Sequence, residues 1–299
     1  MSLAIAMAAD ALSPPTEAWH EASVGWPHRE SSRFVRADGL LWHVQMMGRG
    51  PVLLLLHGTG ASTHSWRGLM PLLAERFTVI APDLPGLGFT SEARGPQLSL
   101  AGMAAGVAAL LAALGLTPSV IVGHSAGAAV GARLCLDGAA PSHFISLNGA
   151  LLPLNGWAGT WFSPIARTLV ALPGVAQLFA WSAADRSLIE RLLRDTGSSL
   201  DEEGVDYYAR LFRRPAHVGA TLGMMAAWDL PGLAQDLPGL ATPTLLVVGQ
   251  QDRTIRPTEA RRIQAILPSS RVVKLPGLGH LAHEEAPKAV ARAILETPL

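Results

Sequence analysis

One cysteine, Cys135, is all that the 299 residues contain, so no internal disulfide can form and a reducing compartment is expected. It falls in a helix-like segment after a glycine-rich turn, where a lone cysteine reads as packing. Neither sign of charge is in excess, with Lys plus Arg and Asp plus Glu at 23 each. No basic cluster is long enough to track a phosphate backbone, which argues against nucleic acid as a partner. Apolar runs are broken by Gly, Pro or charge well short of the ~20 residues that span a bilayer. The opening stretch from Met1 to Asp10 is apolar but lacks a basic lead and runs into Ser13-Pro14-Pro15, so it does not read as a signal peptide. A cytoplasmic chain with a loosely ordered arm over residues 1–30 is the expectation.

What is present is an alternation of strand and helix patterns. Residues 33–36 and 40–46 alternate around Asp38-Gly39 as a hairpin. Residues 51–56 are apolar at every position, as in a parallel strand buried on both faces. Strand patterns recur at 77–81, 119–122, 144–148, 243–249 and 271–275, with helix-like stretches at 66–76, 100–114 and about 285–295. Such alternation predicts an α/β sheet with helices on both faces. The pattern stops between 151 and 240, where aromatics are spread among helical pieces divided by Pro and Gly. The expected organisation is an arm (1–30), an α/β core (31–150 and 241–299) and a helical cap (151–240) over the carboxyl strand ends, where open α/β sheets bind ligands. Trp66, Trp157, Trp161, Phe162, Met224, Met225 and Trp228 are candidates to line that space, although any one such side chain is more often core.

The chemistry is read from the strand ends. Gly123-His124-Ser125-Ala126-Gly127 follows a run of β-branched residues and passes straight into a small-residue helix, which is the nucleophile-elbow pattern G-x-S-x-G in its strand-turn-helix context. A serine nucleophile needs a base within hydrogen-bond reach and a carboxylate to hold that base. His280 follows the last strand and Asp252 the one before it, giving the chain order Ser125, Asp252, His280. The backbone N–H groups of Thr59, after the buried strand, and of Ala126, opening the elbow helix, are expected to meet a developing oxyanion.

Rival assignments are weaker on the same grounds. Asp83 also ends a strand, but it precedes the elbow in sequence. His57 reads as a loop organiser and His124 as a packed neighbour of the nucleophile. His280, His283 and Glu284 have metal-ligand chemistry but neither H-E-x-x-H order nor a third ligand at matching spacing, so neither metal nor cofactor is expected.

With these residues in place, the chain resembles the α/β-hydrolase superfamily over nearly all of 32–299. Its longer phrases, His57-Gly-Thr-Gly-Ala-Ser-Thr-His-Ser-Trp-Arg67, Met224-Met-Ala-Ala-Trp-Asp-Leu230 and Leu278-Gly-His-Leu-Ala-His-Glu-Glu285, are similar to the magnesium-chelatase accessory proteins of bacteriochlorophyll-producing bacteria. The first resemblance implies a mostly parallel sheet, an inserted cap and serine acyl-transfer chemistry. The second implies magnesium chelatase as a partner and a place near magnesium insertion into protoporphyrin IX. Leu87 departs from the Gly-His-Gly frequent in the superfamily, at a position outside the reacting groups. An ester hydrolase, a C–C bond hydrolase and a non-catalytic tetrapyrrole-binding accessory remain alternatives. Arg213 and Arg214 are candidates to pair with ligand carboxylates in the last of these.

Overall fold

The computed structural model describes residues 12–14, 17–153, 174–182 and 185–296. The sheet has nine strands: β1 (Leu12–Ser13), β2 (Ser32–Ala37), β3 (Leu40–Met47), β4 (Val52–Leu56), β5 (Thr78–Pro82), β6 (Val120–His124), β7 (His143–Leu147), β8 (Thr244–Gly249) and β9 (Arg271–Leu275). Their spatial order is β1-β2-β3-β5-β4-β6-β7-β8-β9. The first four in that order pair antiparallel and the rest parallel. The hairpin expected at Asp38-Gly39 joins β2 to β3, both turn residues having positive φ (50° and 72°).

The unbroken leucines of β4 are explained by what lies on each side. Leu54 and Leu56 pack with Ile121 and with Val107, Leu110 and Val130 from α3 (Leu100–Leu114) and α4 (Ala126–Leu136). Leu53 and Leu55 face the other way, onto α2 (Met70–Ala74) and the terminal helix α12 (Pro287–Glu296) through Met70, Leu73, Val290 and Ile294. Two apolar layers on one strand require an apolar residue at every position, not every second one.

The region between β7 and β8 is helical where described: α5 (Val175–Ser182), α6 (Arg186–Asp195), α7 (Glu202–Phe212), α8 (Pro215–Ala227) and α9 (Leu230–Asp236). Two short helices, α10 (Glu259–Ile266) and α11 (Ala282–Glu285), complete the core. Among the described residues no helix is long and apolar enough to cross a membrane.

The expected loose arm is corrected over its second half. The segment from α1 (Glu17–Ala22) onward is packed through two side chains, Trp19 within α1 and Trp26 after it, both buried with Phe34, Tyr207 and Leu211. Arg210 of α7 lies over the Trp26 ring and donates to the carbonyls of Ala22 (2.6 Å) and Val24 (2.9 Å). Two tryptophans have enough apolar surface to hold so short a segment down.

Candidate active site

Six parallel strands deliver their carboxyl ends to one rim of the sheet, and each leads there into a polar residue or a glycine-rich loop: His57-Gly58-Thr59, Asp83, Ser125, Asn148, Asp252 and His280. Ser125 sits between β6 and α4 at φ 51°, ψ −117°, a conformation that costs a non-glycine residue about 1–3 kcal/mol. Neighbouring hydrogen bonds fix it there. Its N–H donates to Leu147 O (3.0 Å), and its carbonyl accepts from Ala128 (3.1 Å) and Ala150 (3.0 Å). The flanking glycines are required by contact, since a Cβ on Gly127 would overlap the Leu56 carbonyl and one on Gly123 would overlap Gly127 O. Ser125 is half-buried.

The Asp252 carboxylate accepts four hydrogen bonds. Oδ1 takes the N–H groups of Thr254 (2.8 Å) and Ile255 (2.9 Å), and Oδ2 takes Asn148 Nδ2 (2.7 Å) and His280 Nδ1 (2.8 Å). With Nδ1–H committed to the carboxylate, the Nε2 lone pair of His280 is the one left to accept a proton. His280 and Asp252 are thus brought together as expected. Among the described hydrogen bonds none joins His280 to Ser125; such bonds commonly close only when substrate is bound. The elbow and the histidine loop touch through the preceding residue, His124, whose Nε2 donates to His280 O (2.9 Å) and whose ring lies 4.7 Å from that of His280. Burial pushes His124 well below its ordinary value, so it is a neutral packing group.

Ala126 directly follows Ser125 in the elbow, and Thr59 stands on the neighbouring loop. Ala126 opens α4, where an N–H has no intrahelical acceptor. A Cβ on Gly58 would stand 3.1 Å from Ser125 Cβ, so the loop carrying Thr59 lies against the serine. His57 organises that loop as expected: Nδ1–H donates to Gly58 O and Nε2 accepts from Leu84 N–H, both at 2.9 Å. From the cap, His217 adds a brace unforeseen in the sequence, its Nε2 donating to Gly60 O (3.1 Å) and its Nδ1 accepting from Gly88 N–H (3.0 Å).

The rival acid is occupied elsewhere. Asp83 accepts from Thr63 N–H (2.7 Å), Phe89 N–H (2.8 Å) and His43 Nδ1 (2.7 Å). Burial by itself would raise its pKa, but His43 and these donors hold it at about 2. His283 and Glu284 belong to a separate network in which His283 Nε2 meets Ser65 Oγ (2.7 Å) and Glu284 binds Arg67, Ser65 and Tyr208.

The candidate ligand-lining residues fare differently. Trp66 is corrected: it is fully buried on the α2 and α12 side of the sheet, beside Leu69 and Met70. Met224 and Trp228 are corrected too, both buried in the opposite core layer with Leu230 and Leu233. Met225 is half-buried, whereas Trp157, Trp161 and Phe162 lie outside the described residues. Arg214 spends its guanidinium on Gly88 O and the Phe89 ring, which leaves Arg213 as the exposed member of that pair.

A strained serine at a strand-helix elbow, rimmed by the loops of a mostly parallel sheet under a helical insert, defines a class, and the sequence agrees: residues 51–287 match the alpha/beta hydrolase fold family, to which the chain belongs. Among individual relatives, it is 39% identical over 273 residues to the magnesium-chelatase 30 kDa subunit of Rhodobacter capsulatus, covering 91% of this chain and 95% of that one. It is also 30% identical over 247 residues to a pimeloyl-[acyl-carrier protein] methyl ester esterase of Aeromonas hydrophila, covering 79% and 91% respectively. An alpha/beta hydrolase fold protein from Burkholderia ambifaria superposes with TM-score 0.73 at 24% identity over 88% of this chain and 97% of the other, a likeness of fold.

Proposed function

We propose that the chain is a serine hydrolase acting on an ester or similar acyl carbonyl. The observation that carries this is the His280 Nδ1–H to Asp252 Oδ2 hydrogen bond of 2.8 Å, formed at the same sheet rim as the strained Ser125. In this reading His280 Nε2 takes the Ser125 hydroxyl proton as Oγ bonds to the acyl carbon. The N–H groups of Thr59 and Ala126 hold the oxygen as it becomes an anion, and His280 then returns the proton to the leaving group. Water, deprotonated by the same imidazole, releases the acyl group and restores Ser125. A serine-directed phosphonate is expected to label the wild type at Ser125, and Ser125→Ala to lose labelling and at least ~10³-fold in aryl-ester turnover. An unlabelled wild type would overturn the assignment.

The 39% identity over 91% of the chain supports a second, compatible reading, in which the hydrolase serves as an accessory to magnesium chelatase and takes an acyl or tetrapyrrole-related ligand beneath its cap. Adding wild type and Ser125→Ala in parallel to a magnesium-insertion assay separates the two roles. Equal support by both would make hydrolysis dispensable to chelation, whereas loss with the variant would tie chelation to Ser125.

A further inference from the structure

The two loops that carry Asp252 and His280 are joined from below by the sheet. Asn148 Nδ2 donates to both Asp252 Oδ2 (2.7 Å) and Gly279 O (2.9 Å), and Asn148 Oδ1 accepts from Gly249 N–H (3.0 Å). On the far side of both loops lies a piece of the cap, the turn between α6 and α7. Thr196 O accepts the N–H of Arg253 (3.0 Å), the residue that follows Asp252. Ser198 Oγ accepts the N–H of Leu281 (2.8 Å), the residue that follows His280. Between them Gly197, at φ 87°, lies so close to both loops that a Cβ on it would overlap Gln251 O, and a Cβ on Gly279 would overlap Gly197 O. Ser198 is 4% exposed, so its hydroxyl has no water to fall back on if that bond is lost.

We propose that the cap turn Thr196-Gly197-Ser198 is a positioning element that clasps the acid and histidine loops, so that the Asp252–His280 pair is aligned only while the cap is docked. None of its three residues hydrogen-bonds the Asp252 carboxylate or the His280 ring; each acts on the backbone one position either side of Asp252 or of His280. The turn is anchored in its own right. Immediately after it, α7 is fastened to the histidine loop through Glu284, which accepts from Tyr208 (2.7 Å) and pairs with Arg67, while Arg67 also reaches Asp201 at the start of α7 (3.2 Å). A displacement of α7 therefore pulls on both sides of His280. Anything that moves the cap, a ligand beneath it or a partner outside it, changes the alignment of the pair without touching the serine. In geometric terms a shift of ~1 Å at a reacting group costs up to about 10²-fold in rate.

This inference rests on the serine-hydrolase reading only for its turnover measurements, and the test is chosen to keep the two apart. Ser198→Ala removes the acceptor, whereas Ser198→Thr keeps a hydroxyl. In Ser198→Ala, kcat for an aryl ester is expected to fall about tenfold with KM held within about twofold. The low-field proton resonance of the His280–Asp252 hydrogen bond is expected to broaden or shift, and Ser198→Thr to return both towards wild type. An alanine variant with wild-type kcat and an unmoved resonance, or equal losses in both variants, would overturn the clasp. If the wild type itself takes no phosphonate, the hydrolase reading fails, yet the resonance still reports whether Ser198 aligns the pair. Should Ser198→Ala not fold, amide exchange on the wild type decides. The Arg253 and Leu281 N–H groups are expected to open together with α7. Opening instead with β8 and β9 would show that the sheet alone holds the loops.

Discussion

Asn148 is held at φ 45° at the end of β7, in the left-handed region that asparagine tolerates better than other side chains. Its amide uses both ends: Nδ2 for Asp252 and Gly279, Oδ1 for Gly249. Asn148→Asp keeps the shape but cannot donate, and it sets a second carboxylate against Asp252. Ester turnover is expected to fall by about 10- to 100-fold in this variant, with a loss of roughly 1–3 kcal/mol in stability from the buried acceptors left unpaired. Kinetics alongside a urea melt check both figures, and a variant with unchanged kcat would remove Asn148 from the site. The sequence does not name the partners of this residue, because they lie 101 to 131 positions away. The one local signal is an amide side chain directly after a strand that leads to the carboxyl rim. His217 was hidden for the same reason: it is one histidine on an apolar helix, and its partners Gly60 and Gly88 are fixed only by tertiary structure.

At the scale of the element, one substitution has opposite consequences in two helices. Gly127→Ala in α4 drives a methyl into the carbonyls of Leu56 and His57, backbone that cannot step aside, and is expected to cost more than about 3 kcal/mol or abolish folding. Gly219→Ala in α8 meets, among the described residues, only Ala176 Cβ at 3.7 Å, so the gain in helix propensity prevails and stability is expected to rise by about 0.4–1 kcal/mol. Paired thermal melts test both signs. The same contrast shows which elements could be read from sequence. Strand β4 and the elbow were legible because each is specified by adjacent residues: an unbroken apolar run, and glycines at fixed spacing about a serine. Trp66, Met224 and Trp228 were misplaced because residue type reveals that a side chain is apolar but not which of two core layers receives it. The arm was underestimated because Trp26 finds Tyr207 and Arg210 on α7 only after the cap has folded back.

For the molecule as a whole, the buried histidines set the acid limit of stability. Burial, opposed in part by the Gly60 carbonyl, pushes His217 from 6.5 down to about 3, and burial together with His280 and Arg67 does the same to His283. Between those values the unfolded chain binds a proton at each ring that the folded chain refuses, so stability falls as pH drops through 6.5 and continues to fall until about 3. Each ring contributes ~1.4 kcal/mol per pH unit, or roughly 3 kcal/mol per unit for the two. His64 and His124, displaced in the same direction by burial, steepen the decline. Asp83 does not compete in this range, because its stabilisation is complete above 3.8 and is lost only as pH falls towards about 2. The melting temperature is accordingly expected to drop by about 5–10 °C between pH 6.5 and 5.5. His217→Gln, which has no proton to take up, is expected to flatten the stability curve by ~1.4 kcal/mol per pH unit. A flat profile in the wild type, or an identical slope in the variant, would mean that these rings are charged or hydrated in the folded protein, contrary to the packing in which both are buried.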